Sequence, residues 1–198
     1  MRLIRILRGT IMNKPFFYSL ALFGLVIGGV TACKNNTEQT PAAIAVNSIA
    51  PDFSTYGALA GQAFNFTLSE KLKSGPVVLY FFPKAFTPGC TAEAHEFAEK
   101  TEEFKALGAT IIGMSADNAQ DLARFSKEEC RDKFAVAHAD AKTIADYGVK
   151  FDLKPELTNR TSFVIAQNGT IKLIYSNLDF REHVSRTLEA VRELKANP

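Results

Sequence analysis

A short apolar run that ends at a proline, followed closely by a cysteine, is the feature of this chain that most constrains its fold. Residues 77–82 are β-branched and aromatic, and Pro83 stops the run, which is typical of a buried strand. Thr87 is a good helix N-cap, and Pro88 suits the first helical position because the N–H that it lacks would be unpaired there. The sequence therefore predicts a buried strand, a tight turn and a helix whose third residue is Cys90.

The position of Cys90 in this first turn predicts a reactive thiol. A capping box has Glu or Gln at this position, because the open N–H groups and the helix dipole favour an anion. A thiolate gains from the same groups. The alternative is an inert buried cysteine, which is the commoner case. A helix that follows a buried strand starts at the carboxyl edge of an α/β sheet, where such folds place their sites, and this favours the reactive interpretation.

The rest of the pattern alternates between strands and helices and predicts an α/β fold with a mixed central sheet flanked by helices. The βαβ order gives parallel strands, and a hairpin around Asn168 and Gly169 adds an antiparallel edge. A thioredoxin-like core fits this order. We expect strands at 64–68, 77–82, 109–115, 134–137, 161–166 and 170–175, and helices at about 87–107, 118–133, 141–147 and 180–195.

Residues 1–32 are typical of an export signal, because a basic start leads into an apolar run that is too short to span a membrane. Val30, Thr31, Ala32 and Cys33 resemble the bacterial lipoprotein box, which implies cleavage and lipidation at Cys33. We expect a tether at 33–48 and one globular domain at 49–198. A plain signal peptide and an uncleaved anchor are the alternatives, and Met12 is a second candidate start.

This reading predicts an exported lipoprotein, held at the periplasmic face of the cell envelope by its lipid alone. In a Gram-negative cell, Lys34 in place of an aspartate favours the outer membrane. The chain has a net charge of +2, of which +4 lies before Cys33, so the body is mildly acidic at −2. That charge gives no reason to expect nucleic acid as a partner.

Other common site chemistries lack their patterns in this sequence. His95, His138 and His183 are scattered without metal-ligand spacing, so we expect no metal. There is no Cys-x-x-Cys pair, no glycine-rich phosphate loop and no flavin or nicotinamide fingerprint, so we expect no cofactor.

Four spaced residues resemble the active-site signature of peroxiredoxins. Pro83, Thr87 and Cys90 stand as Pro-x-x-x-Thr-x-x-Cys, and Arg160 precedes a predicted strand. The neighbouring residues are most similar to the bacterioferritin-comigratory, or PrxQ, branch. The resemblance covers about residues 48–194.

The resemblance implies a thiol-dependent peroxidase that reduces hydrogen peroxide and organic hydroperoxides as antioxidant defence. Cys90 would attack the peroxide and become a sulfenic acid. Arg160 would favour the thiolate and stabilise charge on the peroxide oxygens, Thr87 would orient the peroxide, and Pro83 would shield Cys90 from water. A thioredoxin-like, glutaredoxin-like or small thiol would act as reductant, and the protein would be a monomer or weak dimer.

The sequence departs from this branch where many members carry a resolving cysteine, because His95 occupies that position. Cys130 falls in the predicted helix 118–133, where some members place the resolver, but its helical spacing from Leu122 and Ser126 fits a packing residue equally well. A different class of function is a catalytically idle thioredoxin-fold module that binds or chaperones envelope proteins. The intact signature weighs against that class.

Overall fold

A computed structural model describes residues 44–196, which form a single seven-stranded sheet with helices on both faces. The sheet order is β2-β1-β5-β4-β3-β6-β7. The β3–β4 and β4–β5 pairs are parallel, and the other neighbours are antiparallel. The strands are β1 Ser54–Leu59, β2 Gln62–Thr67, β3 Val77–Phe81, β4 Thr110–Ser115, β5 Ala135–His138, β6 Thr161–Ile165 and β7 Ile171–Ser176.

Two buried clusters, one on each face of the sheet, hold the helices in place. Apolar residues of α2, α3 and α5 pack on one face around Tyr80 and Phe97, and those of α1 and α4 pack on the other around Leu79 and Phe163. Burial of this apolar area is the main stabilising term of such a fold. The helices are α1 Leu68–Leu72, α2 Pro88–Ala106, α3 Ala119–Glu128, α4 Ala141–Asp146 and α5 His183–Ala196.

The predicted fold class is confirmed, since the sheet is mixed, flanked by helices and of the thioredoxin-like kind. The strand that ends before Pro83 is the fifth of seven in the sheet and is fully buried. The hairpin forms as expected, with Gly169 at φ 84° in its turn. Local signals sufficed for these elements because burial and turn chemistry agree along the chain.

The sequence analysis missed two elements and placed the end of one helix too late. The strand β1 and the short helix α1 were not predicted, because a half-exposed strand and a five-residue helix carry weak periodicity. The helix predicted over 118–133 ends at Glu128, since Arg131 and Asp132 adopt positive φ and the chain turns there. The final helix begins as a 3₁₀ turn, Phe180–Glu182, before α5.

The chain before β1 is already tied to the hairpin. Asn47 N donates to Ile171 O at 2.8 Å, and Ala50 N donates to Gly169 O at 2.9 Å, so ordered contacts begin slightly before residue 49. The predicted signal segment 1–32 and Cys33 lie outside the described residues. Among the helices of residues 44–196, none is long and apolar enough to cross a membrane.

Candidate active site

Cys90 lies on the buried side of the first turn of α2, where the sequence predicts it. Thr87 is the N-cap residue, Pro88 is the first helical residue, and Cys90 is the third. The side chain of Cys90 is 1% exposed and belongs to the core cluster that includes Ala94 and Phe97. The parallel strand β3 and the helix that follows it therefore bring one sulfur to the carboxyl edge of the sheet.

Strand pairing brings Arg160 to the same place from 70 residues further along the chain. Thr161, the first residue of β6, lies opposite Phe81, the last residue of β3, so the preceding Arg160 reaches α2. Its Nη2 donates to Cys90 Sγ at 3.4 Å. Arg160 as a whole residue is only 5% exposed, so its contact with Cys90 joins two buried residues.

The remaining nitrogens of Arg160 are held by the protein. Nη1 donates to Glu93 Oε2, and Nε donates to Leu178 O at 3.0 Å. A Cβ on Gly89 would lie 3.3 Å from Nη2, so a glycine at this position lets the guanidinium approach the helix closely. The orientation of Arg160 is therefore fixed on several sides, which leaves Nη2 aimed at the sulfur.

Thr87 lies where the signature requires it but does not cap the helix with its side chain. Its hydroxyl donates to Lys84 O at 3.0 Å, so the expected capping bond is absent. Pro83 is half-buried in the same loop. Thr87 Oγ1 keeps acceptor capacity for a further donor.

The loop between β3 and α2 is held in a conformation that non-glycine residues rarely adopt. Phe86 has φ 62°, and its ring packs edge-on against Phe125 at 5.3 Å between centroids. Ala85 N donates to Asp117 Oδ2 at 2.7 Å, which anchors the loop to the segment after β4. Backbone strain of this kind often accompanies functional sites.

Glu93 is part of the site, and the sequence analysis missed it. It is fully buried one helical turn after Cys90, and its Oε2 accepts a hydrogen bond from Arg160 Nη1. Burial raises the pKa of Glu93 to about 8, although Arg160 opposes that rise. The available signal was the i, i+3 spacing from Cys90, which places an acid on the buried face of the helix.

A second missed group lies behind Glu93. His183 is fully buried, its Nδ1 is 2.8 Å from Ser162 Oγ, and its Nε2 is 2.9 Å from Asn177 O. Burial lowers the pKa of His183, and the charge of Arg160 acts in the same direction. No local pattern links these residues, because Glu93 on α2 and His183 on α5 meet only when both helices pack against the sheet.

Cys130 lies beyond the end of α3, which corrects its expected place inside the helix. It is fully buried in the same core cluster as Cys90, and both thiols are free. Burial raises the pKa of Cys130 well above its ordinary value, and the charge of Glu129 adds to the rise. The folded state therefore keeps Cys130 as an unreactive thiol.

His95 makes its polar contact with Glu129. Its Nε2 is 2.8 Å from Glu129 Oε2, so it ties α2 to the residue that follows α3. Within residues 44–196, no group of three or more His, Cys, Asp or Glu side chains is arranged to hold a metal ion.

Known proteins are similar to this chain in sequence and in fold. Residues 46–174 match the model of the family described as the AhpC/TSA family. A chloroplastic peroxiredoxin Q of Sedum lineare is 34% identical over 127 residues, which cover 64% of this chain and 68% of that protein. A putative peroxiredoxin of Mycobacterium tuberculosis is also 34% identical, over 65% of this chain and 86% of that protein.

A solved structure supports the same assignment. The crystal structure of peroxidoxin BcpB from Mycobacterium tuberculosis matches with a TM-score of 0.67 at 31% identity, over 75% of this chain and 96% of that one. These relatives agree with the PrxQ branch that the signature resembles. The chain therefore belongs to the AhpC/TSA family and is a peroxiredoxin, a thiol-dependent peroxidase.

Proposed function

We propose that Cys90 is the peroxidatic nucleophile. Its thiolate attacks the terminal oxygen of a hydroperoxide, an S–O bond forms, the O–O bond breaks, and the leaving alkoxide or hydroxide takes up a proton. The sulfur is thereby oxidised to a sulfenic acid, and the peroxide is reduced to an alcohol or water. The observation that carries this assignment is the 3.4 Å contact between Arg160 Nη2 and Cys90 Sγ at the start of α2.

Arg160, Thr87 and Pro83 act on the peroxide in this proposal. Arg160 stabilises the negative charge that moves from the sulfur onto the departing oxygen, since a preorganised cation in a buried site acts strongly on such charge. The Thr87 hydroxyl turns from Lys84 O to bond the peroxide. Pro83 keeps bulk water from the sulfur.

A thiol reductant then returns the sulfenic acid to the thiol. We propose direct reduction by an external thiol of the thioredoxin-like, glutaredoxin-like or small-molecule class. A Cys90–Cys130 disulfide is the alternative route. The burial of Cys130 supports the first route, because it raises the pKa of that thiol and leaves little thiolate to attack the sulfenic acid.

Peroxide consumption with dithiothreitol tests the nucleophile. Cys90→Ser is expected to abolish peroxide consumption. Cys130→Ser is the matched control at the other buried thiol, and it should leave the rate at which peroxide oxidises Cys90 unchanged. Equal rates in the Cys90→Ser variant and the wild type would remove Cys90 from the role.

The fate of the sulfenic acid distinguishes the two routes of reduction. We would treat the protein with one equivalent of hydrogen peroxide, trap sulfenic acid with dimedone and map disulfides by mass spectrometry. A dimedone adduct on Cys90 with free Cys130 supports external reduction. A Cys90–Cys130 disulfide formed before trapping contradicts it.

We also propose that the enzyme acts in the cell envelope as a lipoprotein anchored through Cys33. The lipoprotein-like residues Val30–Thr31–Ala32–Cys33 after an apolar run support this location. We would express the full chain in a Gram-negative host and feed the cells an alkyne fatty acid. The wild-type protein should become labelled, and Cys33→Ser should stay unlabelled. Label retained in Cys33→Ser would contradict the anchor.

A further inference from the structure

A buried polar cluster lies on the side of Arg160 away from the sulfur. Glu93, Ser162 and His183 are each fully buried there. His183 Nδ1 lies 2.8 Å from Ser162 Oγ and 3.7 Å from Glu93 Oε1, and His183 Nε2 lies 2.9 Å from Asn177 O. Glu93 Oε1 has no hydrogen-bond partner, although Glu93 Oε2 is bound by Arg160.

The hydrogen bonds define the tautomer of His183. The carbonyl of Asn177 can only accept, so Nε2 carries a hydrogen. Nδ1 of a neutral ring then offers only a lone pair, and the Ser162 hydroxyl donates to it. Ser162 thus occupies the single lone pair of Nδ1, and the neutral ring offers no hydrogen to Glu93 Oε1, which lies 3.7 Å from Nδ1. An ionised carboxylate would therefore leave a buried, negatively charged oxygen without a donor, which is unfavourable.

We propose that Glu93 and His183 together hold one titratable proton besides the Nε2 hydrogen of His183. This proton leaves the charge of Arg160 available to the Cys90 thiolate. The inference rests on the proposed role of Cys90. It adds a positioning function for His183, which acts on the sulfur only through Glu93 and Arg160.

The charges that surround the pair support this inference. The charges of Arg160, Glu96 and Asp179 act on the pair, and so does the nearby Tyr80 on β3. Tyr175 of β7 packs edge-on against the His183 ring, and Cys90 reaches the pair through its contact with Arg160. Arg160 is the cation of this group. A thiolate at Cys90 and a carboxylate at Glu93 would together exceed its charge, and a buried excess charge is costly. One proton on the pair restores neutrality.

The direction of each pKa shift agrees with this balance. Burial raises the pKa of Glu93 and lowers that of His183, so both shifts favour a protonated Glu93 beside a neutral His183. The proton then belongs on Oε1, the oxygen of Glu93 that Arg160 does not bind. At alkaline pH, Glu93 would lose this proton and become a carboxylate. The carboxylate would then compete with the Cys90 thiolate for the positive charge of Arg160.

The direct test counts the proton in peroxide-free protein. We would label glutamate with ¹³C at the carboxyl and histidine with ¹⁵N, assign Glu93 and His183 from Glu93→Gln and His183→Gln, and record NMR spectra between pH 6 and 10. His183→Gln keeps an N–H for Asn177 O but removes Nδ1. We expect one proton on the pair at pH 7 and its release near pH 8. An ionised Glu93 beside a neutral His183 at pH 7 would overturn the proposal.

The coupling to the sulfur has its own readout. Cys90→Ser removes the thiolate, so Glu93 should ionise more easily and the midpoint of the pair should move to lower pH. An unchanged midpoint would overturn the second half of the proposal. Because these spectra need no turnover, they are separate from the peroxide assay of Cys90→Ser, which tests the proposed function alone.

The pH profile of Cys90 oxidation gives the kinetic consequence. The wild-type rate should fall by about tenfold per pH unit well above the midpoint, as for loss of one required proton, whereas Glu93→Gln should lack this alkaline fall. If the rate of Cys90 oxidation in Glu93→Gln falls at the same alkaline pH and with the same slope as in the wild type, the proposal is contradicted.

Discussion

At the residue scale, Arg160 has two tasks, because it contacts the sulfur and donates a hydrogen bond to the buried carboxyl of Glu93. Replacing Arg160 by Met leaves Glu93 Oε2 buried without its donor, and an unsatisfied buried polar group typically costs about 1–3 kcal/mol. The double variant Arg160→Met with Glu93→Leu removes both polar groups and should recover most of that loss. Both variants should oxidise Cys90 about 10²–10³ times more slowly than the wild type.

Urea denaturation and dimedone trapping separate these two effects. Arg192→Ala is a suitable control, since Arg192 forms an exposed pair with Glu103 that should contribute no more than about 1 kcal/mol. A double variant as unstable as Arg160→Met alone, or one that reacts with peroxide at the wild-type rate, would contradict the two-task interpretation.

Glu93 also predicts how stability depends on pH. Its pKa is about 8 in the fold and 4.5 in the unfolded reference, so the folded state keeps a proton that the unfolded chain releases between these values. Its contribution is therefore fully present below about pH 4.5 and is lost as pH rises toward 8. The difference in unfolding free energy between wild type and Glu93→Gln should fall by up to about 1.4 kcal/mol per pH unit. Urea titrations from pH 5.5 to 8 measure this, and parallel curves would contradict it.

At the element scale, local chemistry predicts the strand–turn–helix unit but not the groups that complete it. The end of β3, the start of α2 and the third-residue position of Cys90 follow from an apolar run, a proline and a capping residue. The partners of Arg160 and His183 depend on how β6 and β7 pair with β3, which no local pattern encodes. The misplaced end of α3 has a similar cause, because Arg131 and Asp132 adopt positive φ without a glycine to signal it.

The packing of α2 on the sheet predicts a sensitive position in β4. Tyr80 stacks on Phe97 of α2 with 4.3 Å between ring centroids, and a Cβ on Gly113 would lie 2.8 Å from the Tyr80 hydroxyl and ring. Gly113→Ala should therefore destabilise the fold by about 1–3 kcal/mol, as overpacking does. In a Tyr80→Leu background the same substitution should cost much less. Equal costs in the two backgrounds, measured by urea denaturation, would show that the ring is not the obstacle.

At the scale of the whole molecule, the sheet assembles the site from distant parts of the chain. Cys90 follows β3, Arg160 precedes the antiparallel strand β6, and Leu178 lies after β7. These three strands are neighbours, so one edge of the sheet gathers residues that are 70 or more positions apart. The alternation of elements predicts a mixed sheet with a hairpin, whereas the strand order and the contact of Arg160 with Glu93 depend on the assembled sheet.

The surface of residues 44–196 predicts a monomer or weak dimer. The large apolar side chains exposed there are few and lie on several separate segments; they are Val46, Ile49, Tyr56, Leu59, Leu153 and Leu178. A stable interface buries about 1,200–2,000 Å² around a continuous apolar centre. Scattered single residues do not supply such a centre.

Sedimentation velocity of the reduced protein between 1 and 50 µM tests this expectation. The monomer should dominate at the lowest concentration, because few large apolar side chains of residues 44–196 are exposed and available to a partner. Leu59→Lys serves as the matched variant, since Leu59 is the exposed apolar residue at the end of β1, beside the edge strand β2. A wild-type dimer that persists at 1 µM would contradict the prediction, and its loss in Leu59→Lys would locate the interface on that edge of the sheet.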